Sequence, residues 1–481
     1  MNDVRRMAHG MGGRLVGEGI AGERIPVVAH AGVAVLLVAY VFCVVHNEWG
    51  LFFNIVLGLT TLVASLLRLE FGLAIVPLGL LNPYRLGETG TNLIVSELLL
   101  LIVFSVWFVG ALSFNKRLEF PRALLIPALL VVAASAVSIF SAAYRMPAVL
   151  QVVRYVEIML ILFIMVHQTV RSESNIRLIV GAILLGGLIA SLVGIGQFLF
   201  GEEGTRGTGR VYGLLGGGYG CGVAVTVILA LTTALSAGSK RLRLLAGITA
   251  PVAGLALLLS QTRTWIAALA VALFVLLIQT QSHLRRRILI VTGSIVGFIG
   301  MLIATDAFGL AQRNLFQAAL GGAFRWQVSA GQRSMEDLSL LMRFGAWSHA
   351  LGVFTQNPLF GIGVANLRFT SYLTGTLGSP LDPDAGFVDN QYIQFFAEAG
   401  LIAGIAWIVY LGAALVTGRR AVRLATGGPL GGVALGLSGA ILVVALGSFF
   451  WVVTPSHELF SLLVLMIALL ASVVRLLKPV E

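Results

Sequence analysis

Charge is scarce in this sequence. Asp, Glu, Lys and Arg make up 11% of the 481 residues, where soluble domains carry roughly 25%. With 58% hydrophobic residues and a mean hydropathy of +0.96, a soluble globular domain is excluded. The reading is an all-α polytopic membrane protein. Cysteine is nearly missing as well. Cys43 and Cys221 both fall in apolar runs, which leaves neither a disulfide framework nor a thiolate metal site. The sequence has no Gly-Lys-Ser/Thr phosphate loop, which argues against ATP-driven transport. It has no His-x-x-x-His pair, and its Asp-x-Asp string, Asp382 to Asp384, has Pro383 in the middle and reads as a turn. Neither a metal nor another cofactor is expected.

Glycine, in contrast, is abundant at 57 residues. In a bilayer, small residues let helices approach closely, so most of these are packing residues. A span needs about 20 mostly apolar residues. Spans are read at 27–46, 51–67, 92–113, 123–141, 148–167, 178–200, 212–236, 243–260, 264–280, 287–305, 390–417, 430–453 and 457–475. They are helices by necessity, because no barrel alternation is visible. The apolar run Phe71 to Leu81 is short for a span and reads as a tilted short helix or a re-entrant segment.

The formal net charge of +11 reflects short basic connections rather than a nucleic-acid surface. Lys116-Arg117, Lys240-Arg241 with Arg243, Arg285-Arg286-Arg287, Arg419-Arg420 with Arg423, and Arg475 with Lys478 all belong in the cytoplasm by the positive-inside rule. The basic N-terminus (Arg5, Arg6, Arg14) lacks a clear small-residue cleavage site and is read as a cytoplasmic tail. Parity closes if 71–81 crosses, giving about 14 crossings with both termini inside. The chain then divides into an N-terminal bundle (1–305), a loop domain (306–389) and C-terminal helices (390–481).

The loop domain is the anomaly. It holds five arginines and six carboxylates, and loops of this length are usually functional. Topology puts it on the non-cytoplasmic face, together with the 201–211 loop and the Gln261-Thr262-Arg263 corner. Arg206 and Arg210 lie among glycines that allow close backbone approach. Guanidinium groups bind phosphate oxygens in a fork, so arginines on this face suit a lipid-linked diphosphate. A headgroup contact or an ion pair at a helix end is the plainer reading of each. Arg154 and Glu157 lie within a span, either as functional groups or as a self-neutralising i,i+3 pair. Arg145 is interfacial. Residues 334–355 read as an amphipathic helix with Arg343 on its polar side, ended by Pro358 and its following glycines. Asp389 is either the N-cap of the next helix or a carboxylate that takes a proton from a sugar hydroxyl. Glu398 is a second candidate base, pointing into the next span. His349 reads as a helix-surface histidine.

Four pieces, in order, carry a resemblance. They are Arg210-Val-Tyr-Gly213, Ser260-Gln-Thr-Arg263, Arg343-x-x-x-Trp347 leading to Asn357-Pro-Leu-Phe-Gly-Ile-Gly363, and Asp389-Asn390-Gln-Tyr392 leading to Glu398-Ala-Gly400. Over about 205–400 the chain resembles the O-antigen ligase and O-antigen polymerase superfamily of bacterial membrane glycosyltransferases. The resemblance implies a glycan donor on undecaprenyl diphosphate, a glycan acceptor and an active site on the periplasmic side of the inner membrane. It further implies inverting transfer without metal. Arg210 and Arg263 match the family's diphosphate arginines and Arg343 a further loop arginine, with Arg206 beside them. Asn390, Tyr392 and Trp347 fall in the acceptor-side loop motifs. Family ligases typically carry His where this chain has Asp389, which tilts the expectation to a polymerase of lipid-linked repeat units, with a chain-length regulator as a further expected partner. A ligase acting on lipid A core is the alternative. From other classes, a flippase or transporter would also want cavity arginines, but no inverted repeat is visible, and a structural subunit would use the loop for docking.

Overall fold

The computed structural model describes residues 49–79, 85–86, 93–113, 121–200, 211, 218–236, 238–280, 282–304, 335–370 and 388–478. The protein is an all-α polytopic membrane protein. Its helices in chain order are α1 (Trp49–Leu67), α2 (Leu69–Gly79), α3 (Val95–Ser113), α4 (Arg122–Ser138), α5 (Arg145–Thr169), α6 (Glu173–Phe200), α7 (Tyr219–Ser236), α8 (Lys240–Leu259), α9 (Arg263–Gln279), α10 (Ser282–Ala304), α11 (Met335–Gln356), α12 (Gln391–Ala425), α13 (Gly431–Gly447) and α14 (His457–Leu477). A two-residue antiparallel ladder, β1 (Arg85–Leu86) with β2 (Leu93–Ile94), precedes α3. Among the described residues, six helices are long and apolar enough to cross a membrane. The expected span at 27–46 lies outside the described residues.

α2 is the short run whose crossing was open. Its 11 residues cover only about 16 Å at 1.5 Å per residue. That is roughly half the hydrocarbon thickness. Pro77 near its end lines a small cavity with Gly187 of α6, Gly222 of α7 and Glu458 of α14.

Close helix approach is built on small residues, as expected without a hydrophobic drive between helices in lipid. A Cβ on Gly436 or Gly439 of α13 would strike Thr232 or Ile228 of α7, and one on Gly418 of α12 would strike Ser438 of α13. α14 is the most enclosed span, and Trp265, Trp407, Tyr219 and Tyr410 are the largest fully buried side chains. The helix read at 334–355 is α11, and it stops before Asn357-Pro358 as expected.

Two spans differ from the sequence reading. The 390–417 span is a 35-residue element broken at Gly400, whose φ of 79° and ψ of −174° are not helical. The 430–453 span stops at Gly447. Residues 448–456 continue as non-helical backbone before α14 starts at His457. Such backbone must be satisfied by the protein itself. Gln391 does this, its Oε1 accepting from the N–H groups of Val453 (2.7 Å) and Thr454 (2.9 Å).

Candidate active site

Of the residues singled out from sequence, Arg263 and the Asp389–Tyr392 segment come together where α7, α9, α12 and α14 begin and α13 ends. A Cβ on Gly218 would meet Leu459, one on Gly220 would meet Thr262, and one on Gly447 would meet the Trp265 ring. On the other side of the α13 terminus, Gln391 N–H donates to Ser448 O (2.9 Å) and the Tyr392 hydroxyl to Ala445 O (2.7 Å). The Arg263 corner and the Asp389–Tyr392 segment thus abut the same end of one helix, although 126 residues separate Arg263 from Asp389 in sequence.

The Arg263 corner is a tight reversal. Gln261 holds a left-handed φ of 51°, a conformation that is uncommon outside glycine. Ser260 Oγ donates to Leu257 O (2.6 Å) and lies 2.6 Å from Thr262 Oγ1. Arg263 is the first residue of α9 and is half-buried. The start of α7 lies against Thr262. Two helix N-termini, each with unpaired amides and a partial positive charge, therefore flank this arginine. Arg206 and Arg210 lie outside the described residues; Val211, next to Arg210, is buried in the core.

Asp389 sits in the same uncommon conformation, φ 51°. Its Oδ2 accepts from Arg343 Nε at 3.2 Å, and both side chains are half-buried. Burial pushes the Asp389 carboxyl above its ordinary range, and the charge and hydrogen bond of Arg343 pull against that shift. The capping role expected as one reading of Asp389 belongs instead to Asn390, whose Oδ1 accepts from Tyr392 N–H (3.1 Å) and Ile393 N–H (3.0 Å). Trp347 Nε1 donates to Val388 O (2.9 Å), and its ring lies 5.8 Å from that of Phe450. Tyr392 and Trp347 therefore hold the Asp389 turn against the end of α13, while Asn390 caps α12.

Glu398 does not point into the span. It is buried, with Oε1 accepting from Leu367 N–H and Oε2 from Gln394 Nε2, both at 3.1 Å. Around it, two motifs clasp each other through backbone. Ile362 N–H donates to Ala397 O (3.1 Å), Gly363 N–H to Glu398 O (2.9 Å), and Leu401 N–H to Pro358 O (2.8 Å). The break at Gly400 frees these groups and the 358–363 loop satisfies them. Gly361 and Gly400 both have positive φ, and a Cβ on either would lie 2.1–2.3 Å from a backbone oxygen of the other strand of the clasp. His349 is tied in as well, its Nε2 lying 2.8 Å from Thr370 Oγ1.

Residues 248–408 match the family O-antigen ligase, Wzy_C. The match covers about a third of the chain and contains the Arg263 corner, the Arg343–Asp389 pair and both halves of the clasp. It bears out the resemblance to the O-antigen ligase and polymerase superfamily, and it supports a glycosyltransferase-type role in surface-polysaccharide synthesis. The Arg210-Val-Tyr-Gly213 piece lies N-terminal to the match. No curated protein sequence matches the chain.

Arg154 and Glu157 are not paired with each other, contrary to the self-neutralising reading. Arg154 Nε lies 3.1 Å from Glu97 Oε1 of α3, and Glu157 Oε1 lies 3.7 Å from Nε2 of the buried His457. The cause is local. In a straight α-helix Glu157 would continue the exposed apolar stripe of Met146, Leu150 and Val153. A π-turn over Val156–Leu162 widens the helix there, and Glu157 meets α14 instead. Sequence reasoning missed Glu97 and His457, although ionisable residues inside apolar spans are the available signal. It also passed over Arg368, which carries no motif of its own, and gave no role to Gln391 within the Asp389–Tyr392 motif.

Proposed function

We propose that this protein is a polymerase of bacterial surface polysaccharide. It transfers a glycan from an undecaprenyl-diphosphate carrier to a lipid-linked repeat unit on the periplasmic face of the inner membrane, with both termini in the cytoplasm. The observation that carries this reading is the meeting of the Arg263 corner and the Arg343–Asp389 pair at one end of α13. Asp389 is the base. The acceptor hydroxyl oxygen attacks the anomeric carbon, the bond from that carbon to the diphosphate oxygen breaks, and the hydroxyl proton passes to Asp389. Attack opposite the leaving group inverts the anomeric centre. Arg263, with Arg210 and Arg206, holds the departing diphosphate, and the amide ends of α7 and α9 add positive potential there. The described part of the loop region, α11 with the 357–370 turn and Asp389, serves as acceptor platform. An aspartate where family ligases carry histidine favours the polymerase. A ligase delivering the glycan to lipid A core is the second reading, favoured by the description of the matched family.

Arg263→Ala tests the leaving-group role. Losing one preorganised donor to a developing charge costs about 10²–10³ in turnover. Polymer formation should fall by that factor while the protein remains inserted, and chelator should leave the wild-type rate unchanged. Wild-type polymer from the variant would remove the diphosphate clamp; inhibition by chelator reversed by a divalent ion would remove the metal-free mechanism.

A further inference from the structure

Arg368 stands out among the charged groups near Asp389. It is the middle residue of the 3₁₀ turn Leu367–Phe369, and that turn is pinned on every side. The Asn366 side chain accepts from Tyr144 N–H (2.8 Å) and donates to Tyr144 O (3.1 Å). Leu367 N–H is held by Glu398, and the Phe369 ring packs 4.4 Å from that of Tyr144. A turn fixed by this many contacts presents its side chain in a defined place. The guanidinium carbon of Arg368 lies over the Phe369 ring, 4.7 Å from its centroid, a cation–π contact.

Among the described residues no carboxylate lies within ion-pair distance of Arg368, and its enclosed Nε has no hydrogen-bond partner. Glu398 is near enough to favour the charged form, but both its oxygens are taken by Leu367 and Gln394. Arg154 opposes that charge, and burial opposes it more strongly. A guanidinium kept half-buried beside another, with its carboxylate neighbour committed elsewhere, is arranged to receive an oxyanion.

Its location says which one. Leu367 and Val388 pack in one small apolar cluster beneath Trp347. Arg368 follows the first and Asp389 the second, so both leave the same plug. The Arg368 turn leans on the α4–α5 connection, with Val364 N–H donating to Ser138 Oγ (3.2 Å). The Arg263 corner leans on α7 and α13. The Asp389 segment therefore touches both neighbourhoods, through Val388 on the Arg368 side and through Gln391 at the end of α13.

We propose that Arg368 anchors a second oxyanion subsite, separate from the Arg263 side, that takes a phosphate or carboxylate of the acceptor substrate. The proposal rests on the polymerase reading, in which the acceptor is itself a lipid diphosphate. The other source of the same chemistry is an acidic sugar in the repeat unit.

The test uses full-length protein in lipid nanodiscs. The donor is a lipid-diphosphate repeat unit blocked at its acceptor hydroxyl, so that it can only donate. Three acceptors are compared: a neutral oligosaccharide on lipid diphosphate, the same oligosaccharide on a neutral lipid alcohol, and a uronate-bearing oligosaccharide on the neutral lipid. In Arg368→Gln, the KM for the anionic acceptor rises about 10- to 100-fold, the usual worth of a charged hydrogen bond. The KM for the neutral acceptor does not move, and Arg368→Lys recovers part of the loss. A rise confined to the diphosphate acceptor assigns the subsite to the carrier, and one confined to the uronate assigns it to the glycan. An equal rise for all three acceptors, or none, overturns the subsite. Absence of any wild-type transfer to a lipid-linked acceptor overturns the polymerase reading beneath it.

Discussion

Asp389→Asn lowers glycan transfer by about 10²–10⁴-fold, the range for loss of a general base, while the protein remains folded in the membrane. The substitution suits the question because asparagine tolerates the left-handed backbone that Asp389 holds at φ 51°. It keeps the turn but removes the carboxylate, and with it both the capacity to take a proton and the charge that pairs with Arg343. The helix start survives as well, because the cap is Asn390. The pH profile carries a further sign. Asp389 acts when deprotonated, so activity falls as pH drops through its pKa. Burial raises that pKa and Arg343 lowers it. The acid limb therefore lies above the ordinary carboxylate range, and Arg343→Gln moves it to still higher pH. An acid limb that stays in place in Arg343→Gln, or an Asp389→Asn enzyme with full turnover, removes Asp389 from the base role. The carboxylate would then be a partner for Arg343 and nothing more.

Gly400→Ala destroys the clasp. The new Cβ would sit 2.1 Å from Leu359 O, on a residue whose φ is +79°. Strain and overpacking together cost on the order of 3 kcal/mol or more, concentrated where three backbone hydrogen bonds join the loop to the broken helix. The expected result is a large fall in thermal midpoint and loss of activity. Gly412→Ala is the control: it lies on the same helix, with nothing within 4 Å of its added Cβ, and its midpoint should hold. Equal midpoints for the two variants would mean that the clasp contributes little. This pair also gives a physical reason for two motifs that look unrelated in sequence. Asn357-Pro-Leu-Phe-Gly-Ile-Gly363 and Glu398-Ala-Gly400 are two sides of one backbone junction.

Most of the spans were legible because hydrophobic length is a strong constraint in a bilayer. The expected 123–141 and 457–475 agree with Arg122–Ser141 and His457–Leu477 to within two residues. The errors came where hydropathy is blind to backbone. Phe449-Phe450-Trp451-Val452-Val453 is as apolar as any helix, yet it runs non-helically under the side chain of Gln391. Gly400 lies in an apolar run whose average does not register a break. Arg263, Arg343 and Asp389 were legible as charges in unusual places. Their convergence on α13 was not, since it depends on glycines at 220 and 447 making room for Thr262 and Trp265. Glu398 looked like a free carboxylate because its partners, Leu367 N–H and Gln394, are an amide and an ordinary polar side chain. The pairing of Arg154 with Glu97 needed knowledge of which helices are neighbours.

The central claim is that the Arg263 corner and Asp389 form one site for processive glycan transfer between lipid carriers. It is tested most directly by incubating the purified protein with a single lipid-diphosphate-linked repeat unit and separating the products by size. The account predicts a ladder of lipid-linked oligomers, each longer by one repeat, that disappears in Arg263→Ala and in Asp389→Asn. No ladder, with instead a single transfer to an added lipid A core acceptor, would contradict it.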